Sequence, residues 1–152
     1  METPDQTPDQ PAHPMQPRNH DMRNRCFGCG EDNPAGLHLV FAQEPDGSVS
    51  ATATLGHNYE GPPGHLHGGI IATLMDETMS KANRARGEIA LTRQLQVEYL
   101  HPIPSSRPIH LRGHVERIEG RKLWTKAVIE DAEGNTLATG SGFFLSVMKA
   151  SS

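Results

Sequence analysis

The 152-residue sequence predicts an α+β domain, with one long helix lying across an antiparallel sheet of about six strands. Three observations predict it. The stretch from Gly68 to about Ala85 has sustained helical periodicity, and the apolar pattern after it switches to a period of two. Turn-forming clusters, rather than further helices, separate the remaining apolar runs, so neighbouring strands connect as hairpins.

Taken in order, residues 1–22 are rich in Pro, Gln, Asp and His and offer almost nothing apolar to bury. Such a segment cannot offset its ordering entropy, so it is expected to be a disordered tail before a domain at residues 23–149. Leu37 to Gln43 and Ser48 to Leu55 are strand-like runs joined by the turn-forming Glu44-Pro45-Asp46-Gly47. Asn58 to Gly64 is irregular, with Pro62-Pro63 blocking helix, and the long helix follows. Leu95, Val97 and Tyr99 then alternate with Gln94, Gln96 and Glu98, the pattern of a half-buried strand ended by His101-Pro102-Ile103-Pro104. Ile109, Leu111 and Val115 mark the next strand, which breaks at Gly120. Leu123 to Ile129 and Thr136 to Met148 complete the set, separated by a loop at residues 131–135. In the last strand Phe143, Leu145 and Val147 share one face, while Ala138, Gly140 and Gly142 keep the other face thin.

Composition excludes several classes. No apolar h-region marks a signal peptide, acidic residues argue against a transit peptide, and no apolar run approaches a membrane span. A net charge of −4 and 5% aromatic residues give no support for nucleic-acid binding, so a cytoplasmic protein is expected. Cys26 and Cys29 form a lone C-x-x-C. Zinc would need more ligands, for which His65 and His67 are candidates. A redox pair would need a thioredoxin-like strand and helix around it. Turn residues follow instead, so structural thiols are the expectation.

The helix can be sorted by hand at about 100° per residue. Ile71, Leu74, Met75, Thr78 and Ala82 cluster toward the sheet, with Ile70 at the edge. Glu77, Lys81, Arg84 and Glu88 form a charged ridge, read as the solvated edge with an i,i+4 pair between Glu77 and Lys81. Gly69, Ala72, Thr73, Asp76, Ser80 and Asn83 form a third, small-residue side suited to close approach of a ligand or another backbone. Asp76 is the carboxylate on that side, either a catalytic acid or one more solvated acid. Upstream, Gly68 and Gly69 expose the first-turn N–H groups without Cβ atoms in the way, and these groups favour developing negative charge. Gly68 and Asp76 lie roughly 12 Å apart along the axis, too far to share one carbonyl, so joint action requires two chains.

These residues resemble the PaaI-like branch of the hotdog-fold thioesterase superfamily. The match is nearest to mitochondrial acyl-CoA thioesterases of the carboxyl-terminal modulator protein type. The resemblance rests on Glu60-Gly61-Pro62-Pro63-Gly64, His67-Gly68-Gly69, Ile71-Ala72-Thr73 with Asp76, and Tyr99 with Pro102-Ile103-Pro104. Glu119-Gly120-Arg121-Lys122 and the opening Cys26-Phe27-Gly28-Cys29-Gly30 extend it over about Cys26 to Met148. It implies hydrolysis of an acyl-CoA thioester, with Asp76 as general base or nucleophile. It also implies that the Gly68 N–H polarises the carbonyl, that His67 shapes the turn, and that Thr92 orients the nucleophile from the partner chain. Gly69 belongs to the substrate-binding turn. CoA phosphates need local cations, for which Arg121 and Lys122 are the candidates among basic residues that also read as ordinary hairpin charges. No metal or cofactor is required. A homodimer is expected, with pairing into a dimer of dimers left open. Two rivals stand beside this reading: a non-hydrolytic acyl-CoA sensor or regulator, and a hydratase or dehydratase, for which Asp76 lacks an obvious His partner. Acyl selectivity is expected to depend on Met75, Met79, Phe143 and Phe144 at a dimer seam.

Overall fold

A computed structural model describes residues 12–15 and 24–150. Its strands are β1 (His13–Pro14), β2 (Ala42–Gln43), β3 (Val49–Ala53), β4 (Glu88–Tyr99), β5 (Ile109–Glu119), β6 (Lys122–Asp131) and β7 (Thr136–Lys149). A short 3-10 turn, His57–Tyr59, precedes the helix α1 (Gly68–Ala85). The strands form one antiparallel sheet in the order β1-β2-β3-β5-β6-β7-β4. β5, β6 and β7 follow one another as hairpins, whereas α1 carries the chain across the sheet and delivers β4 to the far edge. This is the expected α+β arrangement of one long helix on an antiparallel sheet.

The helix ends are sealed locally. His67 is the N-cap, its Nδ1 accepting the Gly69 N–H at 2.9 Å, which puts the proton of the neutral ring on Nε2. At the other end the Gly87 N–H bonds to the Arg84 carbonyl, with Gly87 at φ +81°, a left-handed position that a side chain would strain. Ile71, Leu74, Met75, Thr78 and Ala82 are buried, as their spacing predicts, and Met79 and Asn83 join them. The thin face of β7 is the one the helix covers. A Cβ on Gly140 would meet the Met75 sulfur at 3.0 Å, and one on Gly142 would meet the Met79 sulfur at 3.2 Å. Met75, Met79 and Phe144 are fully buried in this core and therefore line no outer seam, contrary to the selectivity expected of them.

Two expectations near the amino terminus change. The strand foreseen from Leu37 to Gln43 shortens to β2. Leu37, Leu39 and Phe41 are buried, but the Leu37 and Leu39 N–H groups bond to the carbonyls of Phe27 (2.7 Å) and Gly28 (2.9 Å) rather than to the sheet. Of the stretch read as a tail, residues 12–15 are described: His13 and Pro14 pair with β2, and Met15 bonds to the Phe41 carbonyl and packs against the core. The remainder of that stretch, apart from these four, lies outside the described residues.

Candidate active site

The approach to α1 is a knot of local hydrogen bonds. The Glu60 carboxylate takes the Gly64 N–H at 2.8 Å and faces His57 Nδ1 at 2.7 Å. These two bonds, the His57 contact foremost, hold its carboxyl below the usual range. The His67 N–H bonds to the Tyr59 carbonyl, and the Leu66 N–H to Ile103, which ties the turn to the loop after β4. Tyr99 donates its hydroxyl to the Gly68 carbonyl at 2.7 Å. With Gly69 capped by His67, the Gly68 N–H has no partner among the described residues and points out of the helix start. A donor at the positive end of an 18-residue helix is suited to an oxyanion.

Two turns along, Asp76 is half-buried and accepts a 2.6 Å hydrogen bond from the Thr92 hydroxyl on Oδ1. This corrects the expected origin of Thr92. The resemblance implied a threonine from the partner chain, but β4 returns alongside α1 and supplies it from the same chain. Among the described residues nothing bonds to the second carboxylate oxygen, which leaves it open to a water or a carbonyl carbon. Asp76, Ser80, Glu88, Leu91 and Thr92 line a cleft of about 200 Å³ between the helix flank and the start of β4. Gly68, His67 and Gly69 are not among its lining residues, in keeping with the axial separation.

The charged ridge is not the solvated edge its spacing suggests. Glu77 and Lys81 pair at 3.7 Å, yet each side chain is only 14% exposed. The segment Cys26–Gly30 lies over them, with Cys26 Sγ 3.8 Å from Glu77 Oε2 and Lys81 Nζ 3.3 Å from Cys29 Sγ. Burial, followed by the Glu77 carboxylate, pushes the Cys29 thiol up to about 12, so it stays protonated at neutral pH. His65 and His67 do not join this group of side chains. Glu88 leaves the ridge altogether. It is a buried residue of β4 that accepts from Lys149 and from the Ser146 hydroxyl, the first of these holding its carboxyl below 4.5.

The phosphate-binding candidates divide. Arg121 donates Nε–H to the Ser146 carbonyl at 2.9 Å, which places the β5–β6 turn at the end of the sheet where Ser146 meets Glu88. Lys122 is exposed at the start of β6. Their neighbours are already engaged, Arg117 over the Trp124 ring at 3.9 Å and Lys126 with Glu116 at 3.7 Å. Asn83, assigned to the small-residue side, is fully buried and accepts from Thr125 at 2.6 Å. Sequence reasoning missed Glu88 and Asn83 because strand and helix periodicity overlap at the end of α1.

Residues 63–138 match the model of the Thioesterase superfamily. Acyl-coenzyme A thioesterase THEM4 of Xenopus laevis is 30% identical over 122 residues, covering 80% of this chain and 55% of that protein. A crystal structure described as a thioesterase superfamily protein superposes with a TM-score of 0.77 at 35% identity, covering 80% of this chain and 60% of the other. A hypothetical thioesterase from Streptococcus pneumoniae, solved with coenzyme A, shares the fold at a TM-score of 0.66 and 20% identity, covering 70% and 86%. The chain spans about half the length of the curated relatives it matches.

Proposed function

The chain belongs to the thioesterase superfamily, and from that premise we propose that it hydrolyses an acyl-CoA thioester to the free acid and CoA. The observation that carries this reading is Asp76 beside the cleft, with one oxygen held by Thr92 and the other open. Relatives named as acyl-coenzyme A thioesterases and a fold neighbour solved with coenzyme A support the substrate class.

In the proposed reaction Asp76 takes a proton from water as it attacks the thioester carbonyl, or attacks the carbonyl itself to give an anhydride that water then opens. Either route passes through a tetrahedral oxyanion, for which the Gly68 N–H is the donor. Donors of this kind contribute about 10²–10³ in rate, and a positioned general base about 10²–10⁴. The C–S bond then breaks, and the CoA thiolate leaves and takes up a proton. His67 holds the turn, Gly69 leaves room beside it, and Arg121 with Lys122 meets CoA phosphate.

One carbonyl cannot reach Gly68 and Asp76 of the same helix, so we assign each site to two chains. β4 supports this. It is a 12-residue strand at the open edge of the sheet, with its residues from Thr92 to Gln96 exposed. Leu91 (58%), Leu95 (37%) and Tyr99 (51%) carry exposed apolar surface there. A long exposed edge strand is a template for pairing, and pairing two copies side by side brings two α1 helices together. Leu95 and Val97 share the helix-side face of β4 with Thr92, so they are placed to meet the acyl group.

Thiol release from a panel of acyl-CoAs, wild type beside Asp76→Asn, tests the reading. Release that falls at least about 10²-fold in the variant is expected. Binding of CoA esters without release by the wild type would instead favour an acyl-CoA sensor, and water addition to an enoyl-CoA a hydratase.

A further inference from the structure

Cys26, Cys29 and Glu77 come from regions some fifty residues apart, yet one donor atom from each lies within 4.8 Å of the others. We propose that these three side chains form a binding site for a thiophilic divalent cation of the zinc class, which fastens the amino-terminal loop to α1 beside the cleft.

The spacing fits. With zinc–sulfur bonds of about 2.3 Å and zinc–oxygen bonds of about 2.1 Å, a tetrahedral site has sulfur–oxygen edges of roughly 3.6 Å. Cys26 Sγ and Glu77 Oε2 stand 3.8 Å apart. The C-x-x-C turn supplies two ligands from one tight loop, closed by the Gly30 N–H on the Cys26 carbonyl at 2.7 Å. Glycine is required on that loop for a reason separate from the ligands. A Cβ on Gly28 would meet Glu77 Oε2 at 2.6 Å, and one on Gly30 would meet the Cys26 backbone nitrogen at 2.4 Å. The loop backbone is therefore pressed against the carboxylate, with no side chain between them.

The charge balance fits as well. With a divalent cation bound, two thiolates and one carboxylate give −3, which the metal and Lys81 cancel. Binding therefore leaves this half-buried site neutral, so the desolvation penalty of an isolated charge does not arise. Lys81, 3.3 Å from Cys29 Sγ, then donates to the bound thiolate. Three protein ligands leave a fourth position for water.

The test uses the full chain, purified in reductant, stripped with chelator and titrated with Co²⁺. One equivalent is expected to produce a thiolate-to-cobalt charge-transfer band and the intense visible bands of a tetrahedral site. Equimolar Zn²⁺ should bleach both by displacing the cobalt. Glu77→Gln should keep the charge-transfer band but weaken binding at least about tenfold, while Cys29→Ala should remove the site. Far-UV circular dichroism of each variant separates loss of ligand from loss of fold. Absence of the charge-transfer band in the wild type, or unaltered affinity in folded Cys29→Ala, overturns the proposal. Unaltered affinity in Glu77→Gln overturns the carboxylate ligand. None of these readouts depends on acyl-CoA hydrolysis.

Discussion

Asp76 and Glu77 are adjacent in sequence, carry the same functional group and line the same cleft, yet their surroundings differ completely. Asp76 has one short hydrogen bond from Thr92 and a free oxygen. Glu77 is closed in by Lys81 on one side and the Cys26–Gly30 loop on the other. About 100° of helical rotation separates them, and that rotation decides which one the chain covers. A third carboxylate on the cleft wall, Glu88, is occupied by Ser146 and Lys149. The lesson concerns availability rather than residue type. The proposed reaction needs a carboxylate with an unfilled oxygen, and of these three only Asp76 keeps one among the described residues.

The comparison can be broken most directly by exchanging the two acids in turn. Asp76→Asn is expected to lower kcat by about 10²–10⁴ while the melting temperature stays near that of wild type. Glu77→Gln should instead act mainly on stability and cost less than about tenfold in kcat. Equal kcat losses in the two variants, measured by thiol release, would remove the distinction.

Thr92 sharpens the same contrast at smaller magnitude. Its hydroxyl bonds to Asp76, and in the proposed reaction it orients that carboxylate without touching the substrate, so Thr92→Val should lower kcat by about tenfold, equivalent to about 1.4 kcal/mol. KM should change little, and Thr92→Ser should restore most of the rate. A purely structural threonine would lower the melting temperature of Thr92→Val and leave kcat in place.

On the other acid's side, Gly30→Ala drives a methyl to 2.4 Å from the Cys26 backbone nitrogen in the loop over Glu77 and should destabilise the fold by about 1–3 kcal/mol, read by denaturant titration. The smallest effect concerns acid stability. The Glu88 carboxyl is held below 4.5, so its contribution is complete above that pH and is lost as pH falls through the lower folded value. Unfolding midpoints measured across that acidic range should fall less steeply in Glu88→Gln than in wild type. Lys149 is 79% exposed and screened by solvent, which keeps the difference small.

Much of this arrangement was legible before the structure. The period of two in β4 through β7, the helical period of α1 and the turn residues between them defined the sheet, the helix and their order. Those signals are local, set by how side chains repeat along a strand or helix. The same reasoning isolated Asp76 from Glu77, because angular position on a helix follows from spacing alone. His67, Gly68 and Gly69 were also readable, since capping and glycine at a helix start are properties of a few consecutive residues.

Long-range contacts supplied the rest. The sequence by itself could give Glu77, Lys81 and Glu88 only the character of a solvated ridge. The fold instead laid Cys26–Gly30 over the first two and moved the third into a strand. It could place Thr92 near the reaction only through resemblance, and there in the wrong chain, because the path of β4 beside α1 depends on β5, β6 and β7 filling the sheet between β3 and the far edge. Periodicity fixes which way a side chain faces along its own element. What lies opposite that face is set by pairings between distant segments, and only the tertiary structure decides them.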